Sequence, residues 1–192
     1  MKLKIENKDK RFPKGSLELE PGILNLIGCN GSGKTDLIHQ ILFAAEKLED
    51  VVVFNMADFV DSVAAQEVVQ DTLYSSSGET AYKYVTEFII DSLATADLKH
   101  RDKNVLLLMD DVDTHLSIDA IRRLVMFMKY VVEEESKKRK LYIVMSGTNP
   151  VLAEDVESMD VTAFKKHSNV TFRRYCSLIA STIYRVSKKE QP

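Results

Sequence analysis

Between Gly22 and Thr35 a short apolar segment, Ile23-Leu24-Asn25-Leu26-Ile27, runs directly into Gly28-Cys29-Asn30-Gly31-Ser32-Gly33-Lys34-Thr35. Every fixed position of the pattern G-x-x-x-x-G-K-[ST] is met there. Glycines at Gly28, Gly31 and Gly33 let backbone N–H groups converge on an anion, with Asn30 and Ser32 in the same turn. Lys34 has the reach to meet β- and γ-phosphates, and the Thr35 hydroxyl is an oxygen ligand suited to Mg²⁺. A helix starting near Gly33 would aim the positive end of its dipole at the same phosphates. A strand before the loop and a helix after it make this the organising feature of the chain, and they imply an α/β fold.

The rest of the sequence alternates strand-like and helix-like segments. Residues 2–6, with Leu3 and Ile5 inward, and 16–20, with Leu17 and Leu19 inward, read as an antiparallel N-terminal β-hairpin beside the nucleotide strand, turning through Pro13 and Gly15. Helices are expected from Gly33 to about Lys47, from Phe59 to Leu73, from Glu79 to Leu98 and from Ser117 to Glu135. Wholly apolar strands are expected at 51–55, 105–109 and 141–145, the composition of strands covered on both faces of a parallel sheet. Beyond Pro150 a helix is expected over Val151–Met159 and a strand over Val170–Arg174, while Ile179–Val186 fits either. Together these give a mostly parallel sheet with helices on both faces, the phosphate-loop (P-loop) NTPase architecture, and a single domain over 1–192.

Paired carboxylates close the most apolar run, Val105-Leu106-Leu107-Leu108-Met109-Asp110-Asp111. The carboxyl end of a buried parallel strand is where such sheets place ligand chemistry. Asp110 is the expected Mg²⁺ partner opposite Thr35, directly or through water. Asp111 points differently and either orients or deprotonates an attacking water or caps the following turn. Ser75-Ser76-Ser77-Gly78-Glu79 likewise has two readings. Ser77 can cap a helix beginning near Glu79, or the same serines and the Gly78 backbone can grip a phosphate belonging to another protomer.

No apolar run approaches the roughly 18 residues that a membrane-spanning helix needs, and the N-terminus lacks a secretory pattern. Cys29 and Cys176 are too far apart for a metal-site spacing, and a cytoplasmic protein is expected. The charge is uneven: residues 1–96 carry 9 Lys/Arg against 15 Asp/Glu, and residues 97–192 carry 17 against 14. The basic surplus clusters at Lys137-Lys138-Arg139-Lys140, Lys165-Lys166, Arg173-Arg174 and Lys188-Lys189, segments that either contact an acidic partner or are solvated helix ends.

In their order along the chain these motifs resemble the ATP-binding-cassette (ABC) ATPase heads of structural-maintenance-of-chromosomes (SMC) and DNA-repair proteins and of overcoming-lysogenization-defect nucleases. Gly28 to Thr35 resembles the G-x-N-G-S-G-K-[ST] loop, Ser76-Ser77-Gly78-Glu79 the S-S-G-E signature, and Leu106 to Leu116 the L-L-L-h-D-E-x-x-x-H-L segment with its D-loop near Thr114–Ser117. Leu141 to Pro150 resembles the switch strand. The resemblance implies an ATPase that uses ATP and Mg²⁺, closes as a homodimer or heterodimer of heads, and works through a separate effector subunit, with DNA contacted through that partner, in genome maintenance or anti-phage defence. It implies that Ser76, Ser77 and Gly78 face the partner's nucleotide, and that Lys34 and Asp111 serve catalysis.

Several positions depart from that pattern. Asp111 stands where a glutamate is expected, and Thr148 stands where a histidine would meet the γ-phosphate. Gln40, Gln66 and Gln70 all fall in helical patterns, so no Q-loop glutamine is evident. His115 suits interface packing better than base catalysis, and Phe12, Lys8, Lys10 and Arg11 are candidates for base stacking or phosphate approach from the hairpin turn. Two rivals share the loop: a small-molecule or nucleotide kinase, and a nucleotide-gated binding module with little hydrolysis.

Overall fold

Apolar runs with no polar alternation must be covered on both sides, and the three that form strands, at 51–54, 105–109 and 141–145, lie side by side, the first of them at the edge of the sheet. The computed structural model describes residues 1–6, 15–59 and 76–189. The strands are β1 (Lys2–Ile5), β2 (Gly15–Glu18), β3 (Gly22–Ile27), β4 (Val51–Asn55), β5 (Asn104–Met109), β6 (Leu141–Ser146), β7 (Glu157–Asp160) and β8 (Lys165–His167). The helices are α1 (Lys34–Ala45), α2 (Met56–Phe59), α3 (Ser77–Lys99), α4 (Ile118–Ser136) and α5 (Phe172–Lys189), with a 3₁₀ turn at Pro150–Ala153. Six strands form one sheet in the order β4-β5-β6-β3-β7-β8, parallel throughout except for β8, which runs antiparallel to β7. Val105 to Met109 in β5 are completely buried.

Each central strand feeds two cores because its side chains alternate faces. Leu106, Leu108, Tyr142, Val144, Leu24 and Leu26 pack against Leu37, Ile38 and Ile41 of α1. Leu107, Met109, Ile143 and Met145 pack on the other face against Phe88 and Ile89 of α3 and Leu124 and Met128 of α4. This is an α/β fold with a mostly parallel sheet, helices on both faces and an antiparallel N-terminal hairpin.

The hairpin forms at Lys2↔Glu18 and Leu3↔Leu17 but does not hydrogen-bond to the nucleotide strand; it is a separate two-stranded sheet. Leu3, Ile5, Leu17 and Leu19 instead join the core on the α1 face, so the alternation found its buried side without a sheet edge.

The C-terminal third differs from the sequence reading. Where a helix is expected over 151–159, one 3₁₀ turn capped by Asn149 is followed by β7, whose Ser158 and Met159 register beside Asn25 and Leu26. Pairing with an already buried strand outweighs the weak helical spacing of Val151, Leu152 and Val156. Where a strand is expected over 170–174, Thr171 caps α5, its Oγ1 accepting from Arg174 N at 3.3 Å. Tyr175, Leu178 and Ile179 then pack on Ile27 with true helical spacing. The expected helix over 59–73 is described only as far as Phe59, and its remainder lies outside the described residues.

The basic run 137–140 is structural in large part. Arg139, its side chain 5% exposed, donates Nε to Glu135 Oε2 at 2.9 Å and pairs with Asp97. Lys137 and Lys138 are paired with Glu134 and Glu135 at 2.6 and 3.2 Å. Removing one partner of a buried ion pair strands the other charge, and Asp97 with Lys138 softens that cost. Glu135→Ala is therefore expected to lower unfolding free energy by about 2–3 kcal/mol, read as a reduced denaturant midpoint. Among the described residues no helix is long and apolar enough to cross a membrane.

Candidate functional site

The segment leaving β3 folds into a ring because three of its residues are glycine. At Gly28 a Cβ would lie 2.1 Å from Ser32 Oγ and 2.9 Å from Val161 Cγ2, so only a hydrogen fits. Gly31 and Gly33 hold φ of 75° and 96°, the left-handed region, the latter as the residue before α1. Ser32 N donates to Cys29 O at 3.1 Å and closes the turn. Lys34 is 8% exposed and curls back to donate Nζ to Gly28 O at 3.0 Å and Cys29 O at 3.4 Å. Two neutral carbonyls leave a buried ammonium short of counter-charge, and Ser32 Oγ is buried with no partner. Both features fit an anion the size of a phosphate.

Asp110 arrives from β5, with β6 between its strand and β3. Thr35 Oγ1 donates to Asp110 Oδ2 at 2.6 Å, so the hydroxyl and carboxylate expected at a Mg²⁺ stand together. The sequence reading passed over Ser146, which closes this arrangement at the end of β6. Its fully buried hydroxyl donates to Asp110 Oδ1 and accepts from Asp111 N at 3.0 Å. A serine ending an apolar strand was the only available signal, and nothing in one sequence shows that this strand adjoins β5.

Asp111 takes φ 49°, a conformation that short Asp and Asn side chains tolerate better than a longer residue. It lines a cleft of about 410 Å³ together with Asn30, Gly31, Gly33, Lys34, Thr35 and Asp36. Burial raises its carboxyl above the ordinary carboxylate value, as do the charges of Asp110 and Asp113, while Lys34 pulls the other way. A carboxylate so placed is a better proton acceptor than an exposed one.

Thr148 does not line that cleft. Asp113 Oδ2 accepts from Thr148 N at 2.9 Å, Thr148 Oγ1 at 3.3 Å and Asn149 N at 2.6 Å. From α5, Tyr175 donates its hydroxyl to Thr148 O at 2.6 Å, and burial beside Asp113 pushes that phenol up to about 12. Asp113 and Tyr175, neither singled out in the sequence, thus hold the segment after β6 from both sides.

Ser76, not Ser77, caps α3. Its Oγ accepts from Glu79 N at 3.3 Å while Glu79 Oε2 accepts from Ser76 N at 3.1 Å, a reciprocal capping box, so the helix begins two residues before the expected start. Ser76 and Ser77 are exposed, and neither they nor Gly78 line the cleft in their own chain. A Cβ on Gly78 would sit 2.9 Å from His115 O, so the signature-like turn lies against the backbone of the D-loop-like segment, where His115 has φ 66°. Gln40 lies within α1; Ser75, Gln66, Gln70, Lys8, Lys10, Arg11 and Phe12 lie outside the described residues.

A parallel sheet, a glycine ring opening into a helix and an acidic pair one strand away define a P-loop ATPase fold. Residues 18–153 match the AAA domain family, to which the chain belongs. No curated protein matches the sequence. Among solved structures, a nucleotide-free ATP-binding cassette from an ABC transporter superposes with a TM-score of 0.50 at 10% identity, covering 100% of both chains. An ABC-transporter ATP-binding cassette in its ADP conformation gives 0.49 at 9%, covering 100% of this chain and 98% of the other. The cbiO1 protein of Clostridium perfringens, part of the ABC transporter complex cbiONQ, gives 0.46 at 11%, covering 100% and 95%. At such identities the likeness is one of fold alone.

Proposed function

We propose that this chain is a head-type ATPase that binds Mg²⁺·ATP at the glycine ring and pairs with a second head around the nucleotide. The observation that carries the reading is the meeting of Thr35 and Asp110 at 2.6 Å beside a buried, under-compensated Lys34. In this reading the backbone of Gly28, Asn30, Gly31, Ser32 and Gly33 surrounds the phosphates, and Lys34 moves from its carbonyls to the γ-phosphate. Thr35 and Asp110 hold the Mg²⁺, which, when bound, would offset charge on the phosphate oxygens. Asp111 orients an attacking water and takes its proton, while Ser146 keeps the two neighbouring aspartates apart in function.

One observation supports a composite site. Ser76 and Ser77 are exposed, neither they nor Gly78 line the cleft of their own chain, and a capping box opens the helix at that exposed turn. The motif order that resembles SMC, DNA-repair and overcoming-lysogenization-defect heads supports a role in driving a separate effector, in DNA maintenance or anti-phage defence. Light scattering tests the pairing. Asp111→Asn protein with Mg²⁺·ATP is expected to double in mass, and Ser77→Arg, a bulky change at an exposed position, is expected to prevent the doubling. A monomer under every condition would sink the composite site.

One further observation favours a variant of this reading, a nucleotide-gated module that turns over little. Thr148, at the position where the resemblance expects a histidine, bonds Asp113 and Tyr175 and does not line the cleft. Tight ATP binding with almost no phosphate release would single out that variant.

A further inference from the structure

The region matched to the AAA domain family ends at residue 153, yet α5, well beyond it, reaches back to the phosphate loop. Thr182, completely buried on α5, accepts a hydrogen bond from Cys29 N at 3.1 Å and donates to Ile179 O at 2.9 Å. Cys29 N and Gly28 O belong to one peptide group, and no peptide bond among the described residues is cis. In a trans peptide the N–H and C=O point in opposite directions. A bond to α5 on one side therefore turns the carbonyl on the other side toward Lys34, whose Nζ donates to Gly28 O at 3.0 Å. Thr182, one peptide plane and Lys34 form a continuous hydrogen-bonded chain, in which each bond polarises the next.

The helix is itself firmly held, which lets it act as a reference for the loop. Tyr175 bonds Thr148 O at 2.6 Å, and Arg185 Nη1 donates to Asp160 Oδ2 at 2.6 Å and Thr162 Oγ1 at 2.8 Å. Leu178 and Tyr175 are buried against Ile27, the last residue of β3.

We propose that Thr182 is a positioning residue for the phosphate loop: by fixing the Gly28–Cys29 peptide it pre-organises Lys34 for an anion it never touches itself. This rests on the nucleotide-binding reading above and adds a residue to it that contacts neither phosphate nor metal. Without the hydroxyl, Cys29 N–H loses its acceptor, the peptide is free to rotate, and ordering the loop must be done at the moment of binding.

Thr182→Val keeps the shape and removes the acceptor, whereas Thr182→Ser keeps the acceptor. Calorimetric titration with ATP and with inorganic tripolyphosphate is expected to show about tenfold weaker binding of both anions to Thr182→Val, and native-like binding to Thr182→Ser. Hydrogen exchange of the Cys29 amide, followed without any nucleotide, is expected to quicken in the Val variant only. Should Thr182→Val not fold, Thr182→Cys replaces it, since a thiol of similar size is a poor acceptor. Native-like affinity in the variant lacking the acceptor, equal weakening by Ser and Val, or an unchanged Cys29 amide each overturns the proposal. Native protein that binds neither anion overturns the nucleotide reading instead, and the exchange result alone then decides whether Thr182 holds the loop.

Discussion

Lys34→Ala is expected to weaken ATP binding about a hundredfold, because charge-assisted hydrogen bonds to phosphate contribute roughly 1.5–3 kcal/mol apiece. The lysine has two neutral partners, Gly28 O and Cys29 O, at 3.0 and 3.4 Å, and its ammonium carries three donors. Giving up those carbonyls for phosphate oxygens exchanges neutral acceptors for charged ones in a partly desolvated ring. Stability moves little in the same variant. Truncation forfeits the two carbonyl bonds but also removes a buried charge, so the thermal midpoint is expected to shift by no more than about 4 °C. Titration calorimetry and a melting curve on one preparation check both halves. Unchanged affinity would mean that the ring does not read phosphate.

The Lys34 ring was legible in the sequence because its cause is local. Gly28, Gly31 and Gly33 each answer a requirement of the loop itself, a close approach at Gly28 and a positive φ at the other two. The apolar strands were legible for the same reason, since five consecutive buried side chains announce a strand covered on both faces. What escaped was set by neighbours distant in the chain. Ser146 matters because β6 lies between β3 and β5, and strand order is not written in any one strand. Asp113 and Tyr175 matter because a turn after β5 and a helix from the C-terminal third meet at Thr148. β7 was hidden because Glu157-Ser158-Met159-Asp160 has little strand propensity of its own and is extended by its pairing with β3. The capping box at Ser76 was, by contrast, within reach: Ser76 and Glu79 have the S-x-x-E spacing, and the reading that placed the cap at Ser77 overlooked the reciprocal partner.

Asp111→Asn is expected to slow single-turnover phosphate release about a thousandfold while leaving ATP affinity within a few-fold of native, the span that a positioned base contributes. The amide removes the proton acceptor but keeps the size and the φ of 49°, which Asn tolerates as readily as Asp, so the loop around it is undisturbed. The native pH profile follows from the direction of the Asp111 shift. Burial and the neighbouring Asp110 and Asp113 charges raise its carboxyl above the ordinary value, and only the ionised form accepts a proton. Turnover is therefore expected to be absent at low pH, to rise through a midpoint above the usual carboxylate range, and to level off as pH increases. The Asn variant should show no such rise. The same shift has a stability consequence of opposite use: the fold disfavours the charged form, so removing the charge is expected to raise the thermal midpoint slightly. Asp111→Glu, offered by the resemblance as the more familiar base, must adopt a left-handed backbone that suits a longer side chain less well, and gains no rate unless the turn relaxes. A turnover within threefold of native in Asp111→Asn would remove Asp111 from the chemistry and leave Thr35 and Asp110, braced by Ser146, as the metal-holding pair in a nucleotide-gated module.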